Sequence, residues 1–358
     1  MGRTDPAPRV KWESAARAIE RGVRDGSFGE AGYLPAEREL AASLGVSRPT
    51  LRKAIQSLTA SGLLASLPGV GTRVNEEAHA SAAPRIVALA LPDIGNRFFV
   101  EVTEAVEYTL LQRGCQLLLS NYRHQPVLEE QQLRQFLPHS VRGVILGHES
   151  AWPLPAALAE FEARSIPVVL LFGVPAETRF DTVVIDERAG VEQAMRYLFS
   201  LGHRRIAYCR PLPGFGPHVR ELAFLDLMLE AGLDTPAEFV LPFEAVERSA
   251  DPIRRLFSRR RPPTAIFAGN DRAALIVMKR LAECGLEIPG DVSVMGFDNL
   301  AHTEHLPVPL TTVDQPKEVM GRRAAELLLE RLDFGAGMPA RREVYQPRLV
   351  IRASCAAR

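Results

Sequence analysis

Residues 34–75 read LPAERELAASLGVSRPTLRKAIQSLTASGLLASLPGVGTRVN, and the order of turns and apolar positions in this stretch decides the first domain. Pro35 starts a helix over AERELAASL, because proline has no N–H to lose in a first turn. Leu40, Ala41 and Leu44 share the inner face of that helix. Leu44-Gly45-Val46 makes a tight turn. Ser47 can then cap a third helix through RPTLRKAIQSLTAS, which stops before Gly62. Residues 63–65 and 72–74 flank SLPGVG and form a hairpin with a glycine tip. Upstream, Trp12, Ala15, Ala16, Ile19 and Val23 recur at helical spacing and define a first helix. Three helices and a hairpin in about 65 residues outline a winged helix-turn-helix.

The chemistry of the third helix fits a major groove. Leu51, Ile55 and Leu58 face inward, while Arg52, Lys53 and Gln56 point away and Arg48 sits at the exposed edge of the first turn. An arginine fork can take guanine O6 and N7 together, or clamp a phosphate. Ser47 and Thr50 lie at the helix N-terminus, where hydroxyls and free N–H groups meet phosphate oxygens. The tip at Gly69 and Gly71 lets backbone approach the duplex closely. Charge adds little, since residues 1–76 hold only about three more basic than acidic side chains. Taken alone, an Arg- and Lys-bearing helix is more often a solvated surface.

The ordered set is more specific. Residues 11–75 closely resemble the GntR-family winged helix, and the 34–75 stretch carries that family's pattern nearly end to end. The resemblance implies that Arg38, Arg48 and Arg52 contact DNA, with Ser47 and Thr50 at phosphates and Gly69 at the wing. Lys53 and Gly71 complete the expected DNA-binding set. Ala36 departs from the frequent serine, and Lys53-Ala54 replaces the frequent Glu-Ala; neither unsettles the assignment.

Beyond the composition break that ends at Pro84, the chain alternates short apolar strands with amphipathic helices. Strands are expected at residues 86–91, 116–120, 143–146, 168–172, 183–185, 206–209, 240–242, 265–268 and 292–296, and helices at 99–113, 190–201, 219–231 and 272–284. Strands apolar on both faces lie in a parallel sheet covered by helices. So many strands exceed one doubly wound half and imply two lobes with a cleft between them. The expected division is a flexible tail at 1–10, a DNA-binding domain at 11–76, a linker at 77–84 and an effector-binding and dimerisation domain at 85–358.

Ligands of such sheets sit beyond the carboxyl ends of strands. Asn96, Phe98 and Phe99 follow the first strand, Asp186 closes the fifth, and Arg220 follows the loop PLPGFGPHV. Asn270 and Asp298 stand at the ends of later strands. Carboxylates, amides, a guanidinium and rings can together grip a polyhydroxylated ligand. Each has a plainer reading: Asn270 as a helix cap, the aspartates as turn residues, Arg220 as a solvated charge, one phenylalanine as core.

Residues 85–352 resemble the effector core of LacI/GalR-type regulators, which share the periplasmic-binding-protein (type I) fold. The resemblance rests on RFFVEVTEAVEYTLLQRGCQLLLSN, YLFSLGHRRIAYC, PTAIFAGNDRAALIVMKRLAECGLEIPGDVSVMGFDN and PLTTVDQP. It implies cleft aromatics at Phe98 and Phe99, an arginine at 220, the asparagine of GND at 270 and the aspartate of GFDN at 298. Asp186 matches by context only, and Phe243 is a further candidate ring. The combination looks like the arabinose-repressor type of GntR/LacI chimera, with no leucine wedge for the minor groove in the linker.

The expected fold is therefore α/β, a winged helix-turn-helix followed by a two-lobed doubly wound domain. The expected function is a transcription regulator, acting as a repressor on double-stranded operator DNA under control of a small sugar-like effector and working as a homodimer. The sequence lacks GxGxxG, P-loop and GxSxG motifs, so no enzyme is expected. The scattered His and Cys residues imply no metal or cofactor, and Cys115, Cys209, Cys284 and Cys355 form no CxxC pair. The polar N-terminus and strand-sized apolar runs lead to the expectation of a cytoplasmic protein without membrane contact.

Overall fold

The computed structural model describes residues 11–24, 33–60, 63–67, 71–74, 85–139, 141–149, 152–173, 175, 177–211, 219–335 and 339–358. The chain divides into two compact units, Met1–Arg85 and Ile86–Arg358.

In the first unit, helices α1 (Lys11–Arg24), α2 (Glu37–Ser43) and α3 (Arg48–Ala60) precede strands β1 (Leu64–Leu67) and β2 (Gly71–Val74). Ile19, Leu40, Leu51, Ala54, Leu58, Leu64 and Val74 close into one apolar core. Burying this stripe is what fixes three short helices, since helices of this length are marginal alone. The hairpin is antiparallel with Leu64 opposite Val74 and Leu67 opposite Gly71. Tyr33 bridges to Arg73, and the Leu34 amide donates to the Thr72 carbonyl, so a third short segment joins the wing.

The second unit begins with β3 (Arg85–Leu91), α4 (Arg97–Leu111), β4 (Cys115–Asn121), α5 (Pro126–Phe136), β5 (Gly143–His148), α6 (Leu158–Ala163), β6 (Val168–Phe172) and β7 (Asp181–Ile185). It continues with α7 (Glu187–Ser200), β8 (Ile206–Cys209), α8 (Val219–Glu230), β9 (Val240–Leu241), α9 (Phe243–Arg248), α10 (Asp251–Phe257), β10 (Ala265–Ala268), α11 (Asp271–Glu283) and β11 (Ser293–Met295). Then come β12 (Thr312–Asp314), α12 (Lys317–Phe334), β13 (Arg342–Tyr345) and β14 (Arg348–Val350).

Six strands form one sheet in the order β13-β7-β6-β5-β3-β4, and four form another in the order β11-β10-β8-β9. Pairings from β13 to β3, and throughout the second sheet, are parallel. Each sheet is the centre of a lobe. The chain crosses between lobes after β7, between β12 and α12, and between β13 and β14. Helix α12 returns to the first lobe, where Met320, Ala324, Leu327 and Leu328 join Val87, Val102 and Ile145 in its core. Gly321 permits this contact: a Cβ there would lie 2.7 Å from the Val102 carbonyl oxygen.

The nine strands read from sequence after residue 84 all form. Strands β12, β13 and β14 lie outside that expected set: they are short, and β13 and β14 are not fully buried and lack a continuous apolar run. No helix is long and apolar enough to cross a membrane among the described residues.

Candidate DNA interface and ligand cleft

Helix α3 presents its polar face as expected. Arg38, Ser47, Arg48, Arg52 and Lys53 are exposed and Thr50 is half-buried. The Ser47 hydroxyl accepts from the Thr50 amide at 3.4 Å and lies 2.7 Å from the Thr50 hydroxyl, which marks the capped helix start. Lys53 Nζ stands 5.1 Å from the centroid of the Trp12 ring, so α1 supports part of the cationic face. Glu37, at the start of α2, accepts from Arg52 and, at 3.5 Å, from Arg48. Gly71 has φ of 131°, a left-handed backbone region that favours glycine, and it opens the second wing strand. Gly69 lies outside the described residues, as does the 77–84 linker.

In the second unit, residues from both lobes line one cleft. The first lobe supplies Asn96, Phe98, Phe99, His124, His148, Glu149 and Phe172; Glu187, Arg220, Asn270, Asp298 and Gln315 close it from the other side. Phe98, Phe99 and Phe172 form an aromatic wall, with centroids 5.1 to 5.6 Å apart and rings tilted or edge-on. Such offset contacts suit the ring quadrupoles. Phe172 is held at φ of 72°, and Gly147 makes room for its ring: a Cβ at Gly147 would meet Phe172 Cε2 at 3.1 Å.

Arg220 is buried. It donates to Glu187 Oε1 through Nε and Nη2, at 3.2 and 2.9 Å, and to the Gly269 carbonyl at 2.7 Å. It also lies 3.5 Å from Asp298 Oδ1 and 3.9 Å from the centroid of the Phe297 ring. Burial works against its charge, but Glu187 and Asp298 outweigh that and raise its pKa.

Asp298 occupies a strained backbone position at φ of 123° and is followed by Asn299 at 53°. Its Oδ1 accepts from Gln315 at 2.6 Å, and its carbonyl accepts from the buried Lys317 ammonium at 2.7 Å. Burial pushes the Asp298 carboxyl up to about 6, with Arg220 and Lys317 pulling back. Behind it, Asp271 is fully buried and accepts from the Thr312 hydroxyl and the Leu300 amide. Burial first, then the Asp298 charge, holds that carboxyl well above the usual range.

On the first-lobe side, His124 Nδ1 lies 3.0 Å from both oxygens of Glu149, and Nε2 is 3.8 Å from Asp93. His148 and the Trp152 indole both contact the buried Glu129, at 2.8 and 2.7 Å. Arg272 reaches Asp93 at 3.4 Å, a salt bridge between the lobes.

Residues 11–74 match the family described as bacterial regulatory proteins, gntR family, and residues 195–355 match the periplasmic binding protein-like domain. The chain is 26% identical over 330 residues to the arabinose metabolism transcriptional repressor of Geobacillus stearothermophilus, covering 90% of this chain and 91% of the relative. It is 33% identical over 264 residues to the HTH-type transcriptional repressor PurR of Shigella sonnei (strain Ss046), covering 72% and 76%. A solved LacI family transcriptional regulator from Enterococcus faecium, with bound ribose, superposes at a TM-score of 0.64 and 25% identity, over 76% of this chain and 98% of that one.

The chain belongs to the LacI family of transcription regulators. Its DNA-reading head is of the gntR type.

Within this LacI-family cleft, six of the seven residues picked from sequence come together: Asn96, Phe98, Phe99, Arg220, Asn270 and Asp298. Asn96 and Asn270 both line the cleft and cap helices, accepting from the Phe98 and Ala273 amides. Asp186 is not among the lining residues. It caps α7 through the Ala189 amide, and its neighbour Glu187 faces the cleft instead. Phe243 is a correction. It is 1% exposed in the core of the second lobe, with Arg272 stacked 5.2 Å from its centroid, and it lines no part of the cleft. Sequence reasoning missed Phe172, Glu187, His124, His148, Glu149 and Gln315; a strand-end rule applied to every strand points to Phe172, His148 and Glu149, though not to which strand ends meet.

Proposed function

We propose that this regulator represses transcription by binding operator DNA through α3 and the wing, and that a small sugar-like effector in the cleft controls the affinity. The observation that carries this reading is the convergence of an aromatic wall from one lobe with Arg220, Asn270 and Asp298 from the other. Rings suit the apolar face of a sugar, while carboxylates and amides suit its hydroxyls. The ribose in the Enterococcus faecium relative supports the same class of ligand.

In the reader, Arg38, Arg48, Arg52 and Lys53 take phosphates and base edges, Ser47 and Thr50 hold phosphate at the helix start, and Gly69 and Gly71 bring the wing backbone near. Residues 11–76 act as the reader, 77–84 as linker and 85–358 as effector and dimerisation domain. Two copies joined through the effector domain read an inverted repeat, and lobe closure alters the fit to the two half-sites. The protein works in the cytoplasm, where its operator lies, and catalyses no reaction.

The test is a mobility shift on a palindromic site from the protein's own promoter region, with and without sugars. Asp298→Ala is expected to keep DNA binding and lose the effector response. A monomer inert towards DNA, or a normal response from this variant, would overturn the reading.

A further inference from the structure

The charged groups of the proposed effector cleft answer one another before any ligand arrives. Both Arg220 nitrogens on one edge of its fork contact Glu187 Oε1, and Nη1 contacts the Gly269 carbonyl and stands near Asp298. His124 is held between Glu149 and Asp93. The lining carries three carboxylates, those of Glu149, Glu187 and Asp298, beside Arg220, His124 and a His148 already held by the buried Glu129.

Helix N-termini are the other usual seat for an anion, through free N–H groups and the helix dipole. Of the helices that begin beside the cleft, α4, α7 and α11 each have a first-turn amide taken by the chain's own oxygen, while α12 opens two residues past Gln315 with no side-chain cap. Asn96 Oδ1 accepts from the Phe98 amide at 3.1 Å, Asp186 Oδ1 from Ala189 at 3.0 Å, and Asn270 Oδ1 from Ala273 at 2.8 Å. Glu187 adds negative charge to the first turn of α7.

We propose that the cleft selects uncharged or cationic polyhydroxylated effectors and rejects their phosphorylated or carboxylated counterparts, with the Glu187–Arg220 pair setting that choice. The proposal rests on the effector reading of the same cleft and narrows its ligand class. A phosphate would have to displace Glu187 from a buried guanidinium or sit among like charges where water is scarce, and both oppose binding. A sugar hydroxyl donates to a carboxylate oxygen and accepts from an amide, so it meets the same walls without that conflict.

The experiment is calorimetry and thermal shift on the full-length protein with matched probes: ribose and ribose 5-phosphate, and glucose, glucosamine, glucuronate and glucose 6-phosphate. The expected result is binding of at least one uncharged or cationic probe, with its anionic counterpart at least tenfold weaker. An anionic probe that binds as tightly as its parent overturns the selection and leaves the effector reading intact. Silence across the whole panel overturns the effector reading and the selection together. Glu187→Gln, checked for unchanged fold by circular dichroism and for retained DNA binding, frees the Arg220 fork and is expected to narrow the gap about tenfold. A gap that stays unchanged in this variant removes the pair from its assigned role.

Discussion

Arg52 donates through Nε to both oxygens of Glu37, at 3.1 and 2.9 Å, and so ties the exposed face of α3 to the first turn of α2. Arg48 reaches the same carboxylate at 3.5 Å. One acidic side chain thus gathers two of the arginines proposed to meet DNA. As an exposed pair it contributes little stability. Its consequence is orientation, because a fork held in place loses less freedom on meeting a base.

Glu37→Gln should therefore separate affinity from specificity. Removing a negative charge beside phosphates is expected to raise non-specific affinity about threefold and steepen the salt dependence. The ratio of operator to random-duplex binding is expected to fall, since Arg48 and Arg52 lose their guide. Arg48→Ala should cost roughly 1–3 kcal/mol on the operator if it reads a base. Fluorescence anisotropy at two salt concentrations measures both; a Glu37→Gln variant with an unchanged ratio would remove the orienting role.

Lys317 supports a second prediction. Its ammonium is buried, donates to the Asp298 carbonyl at 2.7 Å and lies 3.6 Å from Glu101 on α4 and from Asp314. It joins the strained turn of the cleft to a helix of the first lobe. Two successive left-handed residues persist only where their surroundings over-determine them. Lys317→Met is expected to cost about 3 kcal/mol of stability, as when one partner of a buried charged cluster is removed. It should also weaken the effector response while operator binding without effector stays normal. Denaturation and effector titration on the same sample test this, and a normal response in the variant would sink it.

What the sequence disclosed and what it hid follow from how far apart the partners lie. The α3 face was legible because a helix brings Arg48, Arg52 and the apolar Leu51, Ile55 and Leu58 to their faces by local period alone. Asn270 and Asp298 were legible because each stands at a strand end within a recognisable run. Glu187 was hidden one residue past Asp186. A cap and the residue after it point different ways, and only the cap carries a local signal. His124, Glu149 and His148 sit at the ends of β4 and β5, which flank β3 in the sheet. That order is not encoded in any local pattern. Phe172 ends an all-apolar strand and so looked like ordinary core.

Phe172 nonetheless has a testable signature. A phenylalanine at φ of 72° carries backbone strain of order 1–3 kcal/mol. Phe172→Ala loses the ring and keeps the strain, whereas Phe172→Gly loses the ring and relieves it. The glycine variant is expected to be at least as stable as the alanine variant, against the usual order in which glycine is worse. Both should bind effector about tenfold more weakly, through loss of the same wall. Urea denaturation settles the first point, and an alanine variant more stable than the glycine one would deny the strain.

The last prediction concerns pH and His124. Burial lowers its pKa, but the hydrogen bond and charge of Glu149, with Asp93 behind, outweigh burial and the opposing Arg272, so the folded value lies above the ordinary one. A base with a raised folded pKa stabilises the fold below its unfolded value, near pH ~6.5, and that contribution fades as pH rises through the folded value. The effector domain should therefore lose a part of its stability on going upward from about pH 6.5 that His124→Gln does not lose. Thermal melts of both proteins across that range give the difference directly. Because Glu149 and His124 both line the cleft, effector affinity should drift over the same interval in the parent and drift less in the variant, where the Asp298 carboxyl still titrates. Parallel curves for the two proteins would show that the His124–Glu149 contact does not couple protonation to the cleft.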